Sequence, residues 1–441
     1  MRTDRLTGRV LCGMMAAAAA AAMIGCEVAT EVAEEQPPIT LEMLKSSVPR
    51  DTSPQVSGPD LAAVVAGNNE FGWELYRDLA GSASGNLVCS PWSVSVAMAM
   101  TWAGAAGATE TQIAEGLHYT VGQAALHAAL NRLDLDLSSR GQGASGREGA
   151  GFTLRSVNAA WPEKTYPFLD AYLDVLALNY GAGLYPMDFM GAPESSRVTI
   201  NAWVAQETND HILDLLPQGS ITPLTRLVLT NAVYFDAAWQ DTFNRSATCD
   251  QAFHLLDGGV KQAKTMHRKG GYRMAADSGW QALELPYDGG EMSMVIVLPD
   301  SGTFAQFEQQ VSAQSMAAVC AGLTVAAEVA VAIPKFSYEY GAVSLADALQ
   351  RMGVTDAFAY GLADFSGMDG TRELYISDVV HKAFVAVDEK GTTAAAATGV
   401  IVGTTSMPLE SFTADRPFIY FIRDNLTGQV VFVGRVVDPT A

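Results

Sequence analysis

Apolar positions first recur at helical spacing from Leu61: Leu61, Val64, Val65 and Ala66 are followed by Phe71, Leu75 and Leu79. This is the pattern of a helix with one buried stripe. Val94 to Ala103 is apolar and built largely of small residues, and it is entered through Ser90-Pro91-Trp92-Ser93, where Ser and Pro are helix-start signals. Leu227 to Phe235 and Met292 to Leu298 are apolar runs rich in β-branched and aromatic residues, which predicts buried strands. Pro299-Asp300-Ser301-Gly302 ends the second run as a turn. Helical and strand patterns interleave without repeats, so the expected architecture is α+β.

The N-terminal pattern is different. Arg2, Arg5 and Arg9 precede an alanine-rich apolar stretch from Val10 to Ile24, which is short for a membrane span and has the basic-then-apolar order of a secretory signal. It ends in Met23-Ile24-Gly25-Cys26, which resembles a bacterial lipobox; there the cysteine is lipidated and becomes the first mature residue. Glu27 at the next position favours onward sorting to an outer membrane or the cell surface. An ordinary cleaved signal would also export the chain. From Glu27 to about Gly58 the sequence is rich in Glu, Pro, Ser, Thr and Val, with Pro37, Pro38, Pro49 and Pro54 interrupting it and Thr40 to Ser46 able to form a helical turn. The expected organisation is a signal peptide over 1–25, a flexible tether over 26–58 and a folded domain over 59–441.

Composition narrows the function. Hydrophobic residues make up 49% and charged residues 17% of 441, as in a globular protein. The net charge of -21 repels nucleic acid and anionic lipid headgroups, so contact with a membrane is expected only through a lipid anchor. His267-Arg268-Lys269, with Arg273 beyond Gly270 and Gly271, is the densest basic cluster and reads as a solvated turn. The five cysteines, Cys12, Cys26, Cys89, Cys249 and Cys320, show no metal-ligand spacing; Cys89 reads as a buried thiol and a Cys249–Cys320 bridge stays open. Gly141-x-Gly143-x-x-Gly146 precedes a strand-like segment (Phe152 to Ala160) instead of a helix, so it lacks the pyrophosphate-binding end of a dinucleotide site. No HExxH, GxSxG or P-loop pattern is present, and neither a catalytic residue, a metal nor a cofactor is expected.

The informative stretch runs from Val385 to Phe412. Val385 and Val387 alternate with Ala386 and Asp388 as a strand would, and then, from Thr392 to Thr405, no side chain is charged or larger than Ile. A disordered linker would be expected to carry Glu, Lys, Ser or Pro there. A segment that must enter a closed sheet as a new strand explains the composition better. Both its faces would be buried, and a buried charge would cost several kcal/mol. Thr392, Ala394, Ala396, Thr398, Val400 and Val402 would share one face and are small enough to fit a packed interior. Gly391 would supply backbone freedom where insertion starts.

Several blocks resemble the serpin family, in serpin order. They are Ser90-Pro91-Trp92-Ser93 with AGAAGATETQIAEGL over 103–117; Asn201-Ala202-Trp203-Val204 with Thr208, His211 and Ile212; and Asn231-Ala232-Val233-Tyr234-Phe235 with Trp239 and Phe243. LELPYDGGEMSMVIVLP over 283–299, Ile333-Pro334-Lys335-Phe336, Ala363-Asp364-Phe365-Ser366-Gly367 and the run from Ala414 to Ile422 follow. The resemblance implies one domain of three β-sheets with about nine helices and an exposed reactive-centre loop. It implies that Ser90, Ser93, Asn231 and His381 form the shutter, a buried polar network beneath the central sheet, and that Trp239 stands at the breach, where insertion begins. Glu389, Lys390, Gly391, Thr392, Thr393, Ala394, Ala395, Ala396, Ala397 and Thr398 are similar to the hinge of inhibitory members.

The implied activity is suicide inhibition of a serine-type protease, which acylates itself on the loop and is then trapped as the hinge inserts. Family spacing from Glu389 places the scissile bond at Thr405-Ser406; counting back from Pro417 gives Ser406-Met407. A small neutral residue before the cut points to an elastase-like or subtilisin-like target with a small apolar pocket. Some members trap cysteine proteases through a thioester, so that class stays open as well. The inhibitor is expected to be a monomer. Two other readings compete: a non-inhibitory serpin acting as a binding or carrier protein, and a surface-anchored enzyme on an unrelated fold.

Overall fold

The computed structural model describes residues 39–141, 153–392 and 410–441. Cys26, the hinge from Thr393 to Thr398, and the candidate scissile residues Thr405, Ser406 and Met407 lie outside them, as does most of the Gly-rich loop. In chain order the elements begin with α1 (Gly58–Ser82), β1 (Leu87–Cys89), α2 (Pro91–Trp102), α3 (Gly107–Gly116), α4 (Gln123–Ser139), β2 (Thr153–Pro162), α5 (Asp170–Tyr180), α6 (Pro193–Glu207) and β3 (Leu227–Ala238). Next come β4 (Cys249–His254), β5 (Val260–Asp277), β6 (Trp280–Pro286), β7 (Met292–Pro299), α7 (Phe304–Gln309), α8 (Ala313–Gly322), β8 (Thr324–Pro334), β9 (Phe336–Ser344) and α9 (Ala346–Arg351). The chain closes with α10 (Ser366–Asp369), β10 (Asp378–Val387), β11 (Gly391–Thr392), β12 (Glu410–Thr413), β13 (Phe418–Asp424) and β14 (Val430–Val436).

Local sequence explains the boundaries. Ser57 caps α1 by accepting a hydrogen bond from the Asp60 amide, with a proline in the first turn, and Ser90 caps α2 in the same way through the Ser93 amide. β7 is buried at every position, as its unbroken apolar run predicted.

The strands form a five-stranded sheet, β2-β3-β11-β10-β9, and a nine-stranded one, β1-β14-β13-β7-β6-β5-β8-β12 with β4 on β5. In the larger network the 18-residue β5 carries hydrogen bonding from the packed sheet into the outer strands β4 and β8, so the second and third expected sheets run into one another. His267 to Arg273, read from sequence as a turn, lies within β5; Gly270 and Gly271 mark a register shift there instead of a chain reversal. Cys249 is an exposed free thiol on β4, Cys320 is a free thiol on α8 and Cys89 is a buried free thiol, so no Cys249–Cys320 bridge is present.

Residues 39–57, assigned from sequence to the tether, lie against the body. Leu44 forms a β-bridge with Leu184, in place of the helical turn expected over Thr40 to Ser46. Arg50 binds Asn131 at 2.8 Å and Asp134 at 2.7 Å on α4, and Ser46 donates to Asp174 on α5.

Candidate functional site: the central sheet and the loop hinge

The five-stranded sheet is held differently at its two ends. Toward the start of β3, that strand pairs directly and in parallel with β10, from Val228 with Asp378 to Val233 with Ala383. Toward the other end β11 stands between them. Gly391 and Thr392 pair antiparallel with Ala238 and Ala237 of β3, and Thr392 also pairs with Val387 of β10. Thr392, the first residue of the uncharged span, and Gly391 before it are thus already a strand inside the sheet.

The register is informative. Ala237 and Val387, on either side of Thr392, stand in the same relation as Val233 and Ala383, which face each other directly. Widening the sheet to admit a strand therefore requires β3 and β10 to separate sideways without sliding.

Gly391 is extended and is not among the positive-φ residues, so backbone freedom is not what the position uses. Space is. A Cβ there would lie 2.0 Å from the Ala237 carbonyl oxygen and 2.7 Å from the Ala238 Cα. Thr392 is fully buried, and its hydroxyl meets that of Tyr287 at 3.0 Å. Tyr287 stacks on Trp239 with ring centroids 4.7 Å apart. Trp239 in turn holds the turn before the hinge: its indole donates to the Asp388 carbonyl at 3.0 Å and its amide to the Lys390 carbonyl at 2.7 Å. The aromatic assigned to the breach therefore packs against and bonds the segment that would lead insertion.

Glu389 anchors the same turn. Its carboxylate accepts from Lys335 Nζ and from Thr248 Oγ1, both at 2.8 Å, and its carbonyl accepts the Phe243 amide at 2.7 Å. Burial alone would raise the pKa of this carboxyl, but the bonds from Lys335 and Thr248 outweigh it and hold the group below the ordinary range. Lys390 places its amide on Asp388 Oδ1.

At the middle of the sheet, Ser90, Ser93, Asn231 and His381 are brought together and are all fully buried. His381 and Asn231 are paired neighbours on β10 and β3, with Nδ1 2.6 Å from Asn231 Oδ1. The Ser90 amide reaches His381 Nε2 at 3.4 Å, which fixes the tautomer by its partners: Nε2 accepts, so Nδ1 carries the proton. Asn231 donates to Ser93 Oγ and to Asn158 Oδ1, both at 2.6 Å. With both ring nitrogens used by the neutral form, burial pushes the His381 pKa down to about 4.

The sequence reading missed Asn158, Thr248 and Tyr287. Asn158 had a signal, a lone amide within the apolar stretch Val157 to Trp161. Thr248 and Tyr287 had none, because each meets the hinge only through the fold.

The sequence model of the family described as serpin (serine protease inhibitor) matches residues 66–439. The chain belongs to the serpin family. It is 38% identical to rat (Rattus norvegicus) leukocyte elastase inhibitor A over 382 residues, covering 84% of this chain and 98% of that protein. An uncharacterized serpin-like protein of Thermococcus kodakarensis is 39% identical over 381 residues, 85% of this chain and 86% of its own length. Among solved structures, the thermophilic serpin tengpin in its native state superposes with a TM-score of 0.78 at 26% identity, covering 91% of this chain and all of that one. Uncleaved ovalbumin gives 0.76 at 27% identity, with 86% of this chain and 100% of its own covered. The serpin fold expected from the sequence is present, with ten α-helices among the described residues. A serpin inhibits and does not catalyse, so this chain is not an enzyme.

Proposed function

We propose that this serpin is a suicide-substrate inhibitor of serine-type proteases with a small, apolar specificity pocket, elastase-like or subtilisin-like. The observation that carries the reading is β11: the uncharged span begins as a strand between β3 and β10, and the register it sets continues along both without a shift. The leukocyte elastase inhibitors that the chain is similar to support the pocket class.

The chemistry balances as an interrupted proteolysis. The protease serine adds to the carbonyl carbon of Thr405, the Thr405–Ser406 amide breaks, and the new amine leaves with the proton relayed by the protease. An ester then joins the two proteins. Insertion of residues 393 onward as a strand moves that ester away from the protease's attacking water before hydrolysis completes. The alternative bond, Ser406–Met407, would run the same way, and a cysteine protease would form a thioester.

A gel-shift screen against proteases with small specificity pockets tests the reading. An SDS-stable adduct, with the loop cut after Thr405 or Ser406, is the expected result; adducts only with trypsin-like enzymes, cut after Arg or Lys, would refute the pocket assignment.

The export signal and lipidation at Cys26 belong to the same proposal, and place the inhibitor on the outer membrane or cell surface as a tethered monomer. No helix among the described residues is long and apolar enough to cross a membrane, and the lipid would be the attachment. Cys26→Ala should move the protein from the detergent to the aqueous phase on partitioning. An unchanged distribution would remove the anchor from the account.

A further inference from the structure

Residues 39–51 pass around one edge of the five-stranded sheet and hold on to both of its faces. Side chains alternate along β2. Val157, Ala159 and Trp161 share a cluster with Ile200, Trp203 and Val204 of α6, whereas Ala160 faces the larger core, which contains Leu130 of α4 and Leu176 of α5. α6 therefore covers one face, and α4 and α5 lie on the other.

The segment starts on the α6 side. The Ile39 amide donates to Gln206 Oε1 at 2.6 Å, Gln206 Nε2 returns a bond to the Ile39 carbonyl, and Leu41 packs against the cluster beneath α6. At the edge, Leu44 and Leu184 exchange both backbone hydrogen bonds, and Leu184 bridges Ala160 of β2. The segment ends on the opposite side. The Asp51 amide donates to the Leu178 carbonyl of α5, the Asp51 carbonyl accepts from Asn131 Nδ2 on α4, and Arg50 holds Asn131 and Asp134.

Admitting a strand shifts these two anchorages against each other. β9 is tied to the larger sheet, because the Tyr338 hydroxyl meets the Leu87 and Arg435 carbonyls, both at 3.0 Å. β2 and β3 are paired over ten residues and carry α6 on them. When β3 leaves β10, the β2–β3–α6 unit is therefore the side that yields, giving up only Val380 of β10 from its cluster. It moves by one strand spacing, about 4.8 Å, against α4 and α5. A hydrogen bond is lost once its heavy atoms stand more than about 3.5 Å apart. The segment cannot keep both ends.

We infer that residues 39–51 form a brace across the moving seam of the sheet, which keeps the sheet closed before the loop is cut and sets how readily the uncharged span enters. The inference rests on the inhibitory reading and adds to it an element that opposes insertion. A sheet that gains stability by taking in a strand would also take in its own uncut span, and bonds made only by the closed sheet delay that. None of the brace contacts involves the hinge or Trp239, so the brace raises the barrier without altering the bait. It is also a single chain in series. Freeing one end leaves the other with nothing to pull against.

The test uses the full-length protein and the variants Leu41→Ser, Arg50→Ser and the two together, which change the brace alone. Uncleaved protein is held below its unfolding temperature, and conversion to the loop-inserted form is followed as a urea-resistant species on native gels. Each single variant should convert roughly fivefold to tenfold faster than wild type, the rate equivalent of the few contacts it releases. The double variant should be no faster than the faster single one, although Leu41 and Arg50 hold opposite faces of the sheet. Independent local defects would multiply instead. Wild-type rates in both single variants, or a double variant whose acceleration is the product of the two, would overturn the brace. Failure of the wild type to form an adduct with any serine protease would remove the inhibitory reading, and conversion on the gels would still decide the brace by itself.

Discussion

Gly391→Ala should convert much of this inhibitor into a substrate. The added Cβ would meet the Ala237 carbonyl oxygen at 2.0 Å and its carbon at 2.9 Å, both backbone atoms of β3 that no rotamer change can clear. Overpacking of this kind costs about 1–3 kcal/mol. Gly391 already lies in the sheet, so the variant relieves the strain at rest by withdrawing β11 from between β3 and β10; insertion must bring the residue back, which raises the barrier by up to a similar amount and slows insertion up to roughly 5- to 150-fold. Attack on the distant scissile bond is unaffected. Insertion races hydrolysis of the acyl-enzyme, so more molecules are cut and released for each protease trapped. The assay is titration of a fixed amount of protease with wild type and variant, followed by gel separation of adduct from cleaved inhibitor. The variant should need several-fold more inhibitor per protease and show a matching excess of cleaved chain. An unchanged stoichiometry, in a variant shown to be folded by its melting curve, would refute the idea that Gly391 is kept for close passage past β3.

Other expectations follow from the same geometry. Lys335→Met removes the main cation from the buried Glu389 carboxylate and should destabilise the native fold by on the order of 2 kcal/mol, read as a lower Tm and as uncleaved loop insertion at lower temperature on native gels. His381 titrates near 6.5 when unfolded but is held neutral down to about 4 in the sheet, so its contribution is intact above pH 6.5 and is lost as pH falls toward 4. The loss is roughly 3 kcal/mol, and His127, whose burial lowers it to about 4 as well, adds a similar slope. Melting curves from pH 8 to pH 4 should show this decline, and His381→Gln should flatten it by about half relative to its own value at pH 8. Mass spectrometry of the loop after exposure to an elastase-type protease should find the new C-terminus at Thr405 or Ser406, and a cut within 392–398 would mean that the bait lies elsewhere.

Much of this architecture was legible in the amino-acid order, and the exceptions have physical causes. Long apolar runs such as Met292 to Leu298 admit one reading, because a strand buried on both faces has no polar side to blur. The small uncharged span announced a strand that must be swallowed. The basic His267-Arg268-Lys269 run misled because Gly270-Gly271 usually reverses a chain, whereas here it accommodates a shift within a long strand. Glu389 looked like one member of a hinge motif; its lysine and threonine partners are far away in sequence, and only the packed sheet edge brings them to one carboxylate. The proline-rich segment before α1 was read as tether because nothing in its composition reveals that Leu44 bridges Leu184 or that Arg50 reaches Asn131.

The pairing of Asn231 with His381 has one consequence for the moving part. Followed down the register, the residue that must slip between these two side chains is Thr398, a hydroxyl on the same face as Thr392, flanked on that side by Ala394, Ala396, Val400 and Val402. Such a residue can offer a proton to one partner and a lone pair to the other. The bond that closes the resting sheet would then be handed over instead of broken, and the midpoint of the journey would be smoothed by a relay.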